Sequence, residues 1–560
     1  MKMTGAEILL KSLLEEKVST VFGYPGGANM PLYDALFSYE KEIKHVLVRH
    51  EQGAAHAAEG YARITGRPGV CFSTSGPGAT NLVTGIADAH MDSIPLVCIT
   101  GQVAAHLIGT DAFQEIDIVG ITKPITKWSI QVTKVEQIED AIHTAFRHAA
   151  SGRPGPVLID IAKSAQLELG EFMGTTMNKK GANSAPHIDE RVVVRAAQLL
   201  NTAKRPLIIV GHGVLISRAQ KELLELVEKT GAPVAATLLG LSSLPCSHPQ
   251  YVGMVGMHGN FAPNVLTNKA DVILAIGMRF DDRVTSTLAT YAPQARIIHV
   301  DIDPKEINKN IKVEVPLLSD AKIAIRALLP RLTCSHHEGW MSTFKSHEKK
   351  ERDEVIHSQT HPTEGSILMA EVVNQLSQLT KGEAVIVADV GQNQMMAARY
   401  YQFEKFDRFY TSGGLGTMGF GLPAAIGAQF GSPSEQVIAI IGDGGFQMNI
   451  QELGTVAQEK IPIKMIVLNN GFLGMVRQWQ QMFFNKRYSF TTMHSPDFVS
   501  VGKAYGIESK KVLERSHLKN TLQEMLDFKG PYLLEIDVEK EGNVFPMIAP
   551  GASVSDIRLS

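Results

Sequence analysis

Two short motifs place hard oxygen ligands at the ends of apolar runs. The run Val437-Ile438-Ala439-Ile440-Ile441 ends at Gly442-Asp443-Gly444, with Gly445 next. One βα unit later, the run 465–468 ends at Asn469-Asn470-Gly471. Short apolar runs bounded by turn residues read as buried strands. The two strand ends then offer one carboxylate and one carboxamide. Mg²⁺ prefers hard oxygen ligands in an octahedron and usually completes it with phosphate oxygens. Glycines beside Asp443 would let backbone N–H groups approach a diphosphate closely. Either turn alone is an ordinary connection. Their ordered pairing across one βα unit is the more specific signal.

Glu51 is a further candidate. It stands in Arg49-His50-Glu51-Gln52-Gly53-Ala54-Ala55, after the apolar run Val46-Leu47-Val48 and at the start of an Ala-rich helix. That puts a carboxylate at a strand end; an exposed glutamate is the ordinary alternative. The middle of the chain holds Val210-Gly211-His212-Gly213, Gly256-Met257-His258-Gly259, Gly277-Met278-Arg279-Phe280-Asp281-Asp282-Arg283 and Val300-Asp301-Ile302-Asp303. Gly turns suit a pyrophosphate, and an acidic residue at a strand end suits ribose hydroxyls. Each of these signals is weak by itself.

Regular elements must hold these turns. Apolar runs at 70–73, 96–99, 207–210, 272–276, 297–300, 385–388, 437–441 and 465–468 alternate with helical patterns. This is the βα rhythm of doubly wound parallel sheets. Ligands in such sheets gather at the C-terminal ends of the strands. The polar stretch 170–188 reads as a linker. So does the charged stretch 334–363, which could equally be a solvated helix. They divide the chain into 1–170, 189–333 and 364–560. The first and third parts echo each other. Ser75-Gly76-Pro77-Gly78, a helical stretch and Ile94-Pro95-Leu96-Val97 match Gly442-Asp443-Gly444-Gly445, a helical stretch and Ile461-Pro462-Ile463. Similar halves around a different middle suggest two domains facing each other across one cofactor.

The 560 residues suit about three domains. Apolar residues make up 44% and charged residues 20%, as in an ordinary globular enzyme. A net charge of -3 points to no nucleic acid and no anionic membrane. The 4 cysteines have no paired spacing, which fits a reducing, cytoplasmic setting. No apolar run approaches a membrane span. The N-terminus shows no leader and opens on a helix signature, with Thr4 and Glu7 at capping-box spacing.

Gly442-Asp443-Gly444 with Asn469-Asn470 resembles the signature of thiamine-diphosphate enzymes. By that resemblance Asp443, Asn470 and the carbonyl of Phe472 hold Mg²⁺, and Glu51 activates the pyrimidine ring. The likeness covers nearly the whole chain. Tyr24-Pro25-Gly26-Gly27, Gly109-Thr110-Asp111-Ala112-Phe113-Gln114-Glu115, Arg279-Phe280-Asp281-Asp282-Arg283, Gly413-Gly414-Leu415-Gly416-Thr417-Met418-Gly419 and Val476-Arg477-Gln478-Trp479 resemble acetohydroxyacid synthase catalytic subunits. The implied fold class is α/β, with three doubly wound parallel-sheet domains: pyrimidine-binding (1–170), FAD-binding (189–333) and diphosphate- and Mg²⁺-binding (364–560).

The resemblance also implies roles. Gly27, Phe113, Gln114 and Lys163 line the reaction site beside Glu51. Gln392 and Asn393 lie near the diphosphate. Gly416, Gly444, Gly445, Gly474 and Met475 complete the thiamine site, and Met418 props the cofactor into a bent shape. Arg153 reaches across from the first domain to FAD. The flavin is otherwise held by Gly211, His212, Gly213, Thr237, Leu238, Gly256, Met257, His258, Gly277, Arg279, Asp281, Arg283, Asp301, Ile302, Asp320 and Ala321. Trp479 shapes the acceptor pocket and favours 2-oxobutyrate over a second pyruvate. The chain departs from the family pattern at three places. Ile161-Ala162-Lys163-Ser164 replaces a common Pro-Lys-Asp, Ala104 stands where many members carry Pro, and His212 where many carry Gly.

The implied reaction decarboxylates pyruvate on thiamine diphosphate. The resulting hydroxyethyl carbanion then attacks a second 2-oxo acid, giving acetolactate or acetohydroxybutyrate for branched-chain amino-acid biosynthesis. FAD does no net redox chemistry there. A pyruvate oxidase-like oxidoreductase and a flavin-free catabolic acetolactate synthase are the alternatives. The segment 279–283 favours the biosynthetic synthase over both; Phe113-Gln114-Glu115 and Trp479 add to the case against the oxidase. The family further implies a homodimer or homotetramer, Glu51 of one chain at the diphosphate site of another, and a separate small regulatory subunit.

Overall fold

The computed structural model of the chain describes residues 2–174 and 188–560. Most of the stretch 170–188, expected as a linker, lies outside those residues. Three six-stranded sheets carry the fold, and the strand pairings within them are parallel. Each apolar run of the βα rhythm, from 70–73 to 465–468, lies within one of these strands. Strands such as Pro206–Val210, Val272–Ile276 and Leu96–Gln102 are buried along their whole length. Near-continuous apolar runs of this kind are what a parallel sheet covered on both faces requires.

The first sheet runs Lys44–Leu47, Thr20–Gly23, Gly69–Ser73, Leu96–Gln102, Pro156–Ala162, Trp128–Val132. The third runs Phe409–Thr411, Val385–Ala388, Val437–Gly442, Lys464–Asn469, Tyr532–Asp537, Glu508–Val512. Numbered along the chain within each sheet, both follow the order 2-1-3-4-6-5. The echo in the sequence is therefore a repeated topology. The middle sheet runs Tyr251–Met254, Val234–Ala236, Pro206–Val210, Val272–Ile276, Arg296–Asp301, Val315–Leu318. Its order, 3-2-1-4-5-6, is that of dinucleotide-binding folds. The expected α/β architecture of three doubly wound parallel sheets is the one observed.

The two similar halves meet through equivalent helices, Glu51–Thr65 and Gly421–Gly431. Each follows the second strand of its half and precedes the third. Glycine is required where they touch. A Cβ on Gly60 would lie 2.0 Å from the Ala424 carbonyl oxygen, and one on Gly427 1.7 Å from that of Ala57. A single buried apolar cluster runs through both halves, from Phe22 and Ala57 to Ala424 and Phe446.

The charged stretch 334–363 is largely helical, beginning with Glu338–Glu351. It is not merely solvated. Trp340, Phe344 and Glu351 are buried. Glu351 accepts from the Phe261 N–H at 2.7 Å and pairs with Arg399 at 2.5 Å. The segment thus ties the middle sheet's region to the third.

Candidate active site

In both 2-1-3-4-6-5 sheets the strand order reverses between the first and third strands, which is where such folds bind ligands. In the third sheet those strands end at Ala388, just before Asp389, and at Gly442. Helices Gln392–Tyr400, Asp443–Met448 and Gly474–Phe483 begin beside this edge. Side-chain contacts bring their starts together. A Cβ on Gly442 would lie 3.0 Å from Asn393 Oδ1, and one on Gly474 2.1 Å from Gln392 Oε1. Asn470 Nδ2 donates to Gln392 Oε1 at 3.3 Å. None of the three helices has a side-chain cap on its first turn. The N–H groups and dipoles at these helix starts suit an anion carrying several negative charges.

The donor set fits a hard cation beside that anion. Asp443 is 1% exposed, and burial pushes its carboxyl up to about 6, against the pull of the Ser495 hydroxyl and nearby N–H groups. A buried carboxylate with this little compensation gains from a metal ion. The register pairs Gly442 with Leu468, so Asp443 and the asparagine turn share one edge. The two asparagines point apart. Asn469 donates to Glu535 Oε1 at 2.8 Å, whereas Asn470 faces Gln392 and accepts from the Phe472 N–H at 3.0 Å.

At the first sheet, Glu51 begins its helix with 9% exposure and accepts from Asn81 Nδ2 at 2.9 Å. A Cβ on Gly78 would lie 3.0 Å from Glu51 Oε1, and one on Gly76 2.9 Å from the Gln114 carbonyl oxygen. The turn 75–78 thus gathers Glu51 and Gln114 at one rim. Gln114 holds a positive φ of 61°, and the neighbouring Phe113 side chain is 87% exposed. The loop with Gly26 and Gly27 leans on Thr74 at the same rim, where the Ala28 N–H donates to Thr74 Oγ1 at 3.2 Å. Lys163 starts the short helix after strand Pro156–Ala162, at the same end of the sheet. Glu452, from the third region, fixes the approach to Glu51 by accepting from the Arg49 and His50 N–H groups at 2.9 and 3.1 Å.

The middle sheet reverses between Pro206–Val210 and Val272–Ile276. A cavity of about 720 Å³ opens there. It is lined by every residue expected at the flavin except Gly211, which packs against Gly277 and Met278. It continues past Gly413 and Gly414 to Met418, Met475 and Trp479. The buried Ser319 hydroxyl on its wall has no hydrogen-bond partner among the described residues, so the wall has polar capacity for a ligand. His212 lines the cavity without closing it. Its Nδ1 donates to the Asp92 carbonyl at 2.9 Å, and burial pushes its pKa down to about 4, leaving Nε2 as an acceptor. Arg153 lines the cavity and pairs with Asp303 and Glu306 of the middle region at 3.3 and 3.0 Å.

Other residues matter to which the sequence reading gave no role. Asp389 is fully buried and accepts from the N–H groups of Val390, Gly419 and Gly421 at 2.8, 3.1 and 2.7 Å. It shapes both turns beside Gln392 and Met418. Its position at a strand end was the available signal, the same one that singles out Asp443. Arg477 is sandwiched between the rings of Phe472 and Tyr488 at 4.5 and 4.1 Å and pairs with Glu541. Asn81 gave no signal at all.

Comparisons with known proteins agree with this geometry. Residues 3–121 match the thiamine pyrophosphate enzyme N-terminal TPP binding domain, 193–328 the central domain and 389–536 the C-terminal TPP binding domain. The chain is 46% identical over 556 residues to the acetolactate synthase isozyme 2 large subunit of Escherichia coli, covering 99% of each chain. It is 45% identical over 570 residues to an acetolactate synthase of Mycobacterium bovis, covering 100% of this chain and 92% of that one. It is 43% identical over 573 residues to a probable acetolactate synthase large subunit of Methanococcus aeolicus, covering 99% and 95%. The chain belongs to the acetolactate synthase large subunits, a family of thiamine pyrophosphate enzymes.

Proposed function

We propose that the chain decarboxylates pyruvate and joins the remaining two-carbon unit to pyruvate or 2-oxobutyrate. The products are 2-acetolactate and 2-aceto-2-hydroxybutyrate, made for branched-chain amino-acid biosynthesis in the cytoplasm. The observation that carries this reading is the single cavity joining the segment 279–283 to Met418 and Trp479. It supports FAD as a bound cofactor, with an acceptor pocket at its far end. When bound, thiamine diphosphate supplies a nucleophilic carbon and an electron sink. Asp443, Asn470 and the Phe472 carbonyl hold Mg²⁺, and the three helix starts oppose the diphosphate charge. Glu51 holds a proton at the pyrimidine ring. Gly27, Phe113, Gln114 and Lys163 enclose the substrate. Regions 1–170, 189–333 and 364–560 serve as the pyrimidine, flavin and diphosphate domains. Product analysis with pyruvate, alone and with 2-oxobutyrate, tests the reading. A yellow protein forming acetolactate without oxygen uptake is expected. Oxygen consumption with peroxide release would replace it with the oxidase.

Trp479 sets the acceptor choice in this scheme. It is half-buried, braced edge-on by Phe483 at 5.3 Å, and lines the cavity. One extra methylene in an apolar pocket is worth about 1–3 kcal/mol, or roughly 10- to 200-fold. Trp479→Leu is expected to lose most of the preference for 2-oxobutyrate and to keep donor decarboxylation. An unchanged product ratio in competition would remove Trp479 from this role.

The working unit is a homodimer or homotetramer, with a separate small regulatory subunit. Among the described residues no hydrogen bond or ion pair joins Glu51 to Asp443 within the chain; Glu51 bonds Asn81 and Asp443 bonds Ser495. Phe37, Phe113 and Phe490 are 76%, 87% and 99% exposed, apolar surface that a second copy can cover. Mixing inactive Glu51→Gln chains with inactive Asp443→Ala chains is expected to restore part of the activity, because each mixed dimer holds one intact site. Verified subunit exchange with no recovery would put the whole site in one chain.

A further inference from the structure

Asp92 ends the helix Val83–Asp92 and touches all three sheet regions. Its carboxylate is 2.8 Å from Arg63 Nη2 in the first. It accepts from the N–H groups of Gly413 and Gly414 in the third, at 2.9 and 2.7 Å, one on each oxygen. Its carbonyl accepts from His212 in the middle one. Asp88, one turn earlier, accepts from the Ser412 hydroxyl at 2.7 Å, and that hydroxyl accepts from the Thr417 N–H at 2.8 Å. Two carboxylates on one face of one helix therefore clamp both ends of the turn 412–417, immediately before Met418. The turn has little freedom. A Cβ on Gly413 would meet Leu239 Cγ at 2.6 Å, and one on Gly414 would meet Asp92 Oδ1 and Met91 Cβ at 2.9 Å. Asp92, Gly413 and Gly414 also line the flavin cavity.

We propose that Asp92 is a positioning residue that couples occupancy of the flavin cavity to the Met418 turn, so that flavin raises the affinity for thiamine diphosphate. This rests on the flavin reading above. One wall of the cavity is the same turn that presents Met418. A flavin that favours the arrangement of this clamped turn in which Met418 is presented favours the same arrangement for the second cofactor, which is positive coupling. Because coupling is reciprocal, thiamine diphosphate must raise flavin affinity by the same factor. Asp92 carries the effect because, among the described residues, it alone holds both Gly N–H groups.

The test is a binding cycle on the full chain stripped of cofactors. Thiamine diphosphate with Mg²⁺ is titrated by calorimetry, with and without saturating FAD, for wild type, Asp92→Asn and Ser412→Ala. The wild type is expected to gain about fivefold or more in thiamine diphosphate affinity when FAD is present. In Asp92→Asn an amide N–H₂ faces one of the two glycine N–H donors, and the gain is expected to disappear while each cofactor still binds. Ser412→Ala removes only the Asp88 half of the clamp and is expected to halve the gain or more; it decides the matter if Asp92→Asn fails to fold. Coupling absent in the wild type, or undiminished in the folded variants, would overturn the proposal. A wild-type chain that takes up no FAD overturns the flavin reading itself, and this proposal with it.

Discussion

Glu51→Gln is expected to keep thiamine diphosphate and to lose turnover by about 10²- to 10⁴-fold, the usual worth of a positioned acid or base. The substitution is close to isosteric, and the buried side chain has a neighbour that tolerates it. Asn81 Nδ2 donates to Glu51 Oε2, and the glutamine carbonyl can accept the same bond. Gly78 already leaves room only for the present outline. The helix start is fixed independently, because Glu452 of the third region holds the Arg49 and His50 N–H groups. What the change removes is the ability to hold a proton at that oxygen. The affinity for thiamine diphosphate should therefore stay near that of the wild type. Exchange of the thiazolium C2 proton, followed by NMR, should slow with the steady-state rate. A variant that turns over at nearly the normal rate would strip Glu51 of this role.

The parts of this architecture legible in the sequence are those set by local pattern. Buried parallel strands are apolar on both faces, so runs such as 272–276 and 437–441 stand out without alignment or context. The repeated strand-glycine-helix pattern around Ser75 and Gly442 marked two similar halves; that their sheets share one strand order emerged only in the structure. Asp443 and Asn470 were visible for a similar reason: both lie at strand ends next to glycine.

What the sequence did not show depends on contacts between distant segments. Nothing near Asn81 says that its amide will meet Glu51. Nothing near Asp92 says that its carboxylate will meet glycines more than three hundred residues on. Gly60 and Gly427 look like ordinary glycines in Ala-rich helices until the helices are packed on each other. Charge misled in one stretch. The run Lys349-Lys350-Glu351-Arg352 reads as solvated, yet Glu351 is buried against Arg399 and the Phe261 N–H. The better signal was Trp340 with Phe344, one helical turn apart, which mark the face that packs.

Asp443→Ala is expected to separate cofactor binding from stability in opposite directions. The carboxyl is pushed up to about 6 mainly by burial, so the folded state holds its charge less readily than the unfolded state does. A carboxyl raised in this way weakens the cofactor-free fold as pH rises through the window from its ordinary value to about 6, and the cost persists at neutral pH. Alanine removes that cost along with the hydrogen bonds the carboxylate accepts, from Ser495 at 3.2 Å and from nearby N–H groups. The variant stripped of cofactors should thus melt no lower than the wild type. Its Mg²⁺-dependent affinity for thiamine diphosphate should fall by more than the roughly 10- to 100-fold that follows loss of a group merely supporting a metal ligand. The rise in melting temperature on adding Mg²⁺ and thiamine diphosphate should vanish with it, since only ligand that binds the folded state stabilises it. Asn469→Ala is the matched control. Its Nδ2 faces Glu535 and its Oδ1 accepts from the Gly471 N–H at 3.1 Å, with no contact to Gln392, so cofactor affinity should fall far less than in Asp443→Ala. Unchanged affinity in Asp443→Ala, with catalysis alone reduced, would move the metal elsewhere.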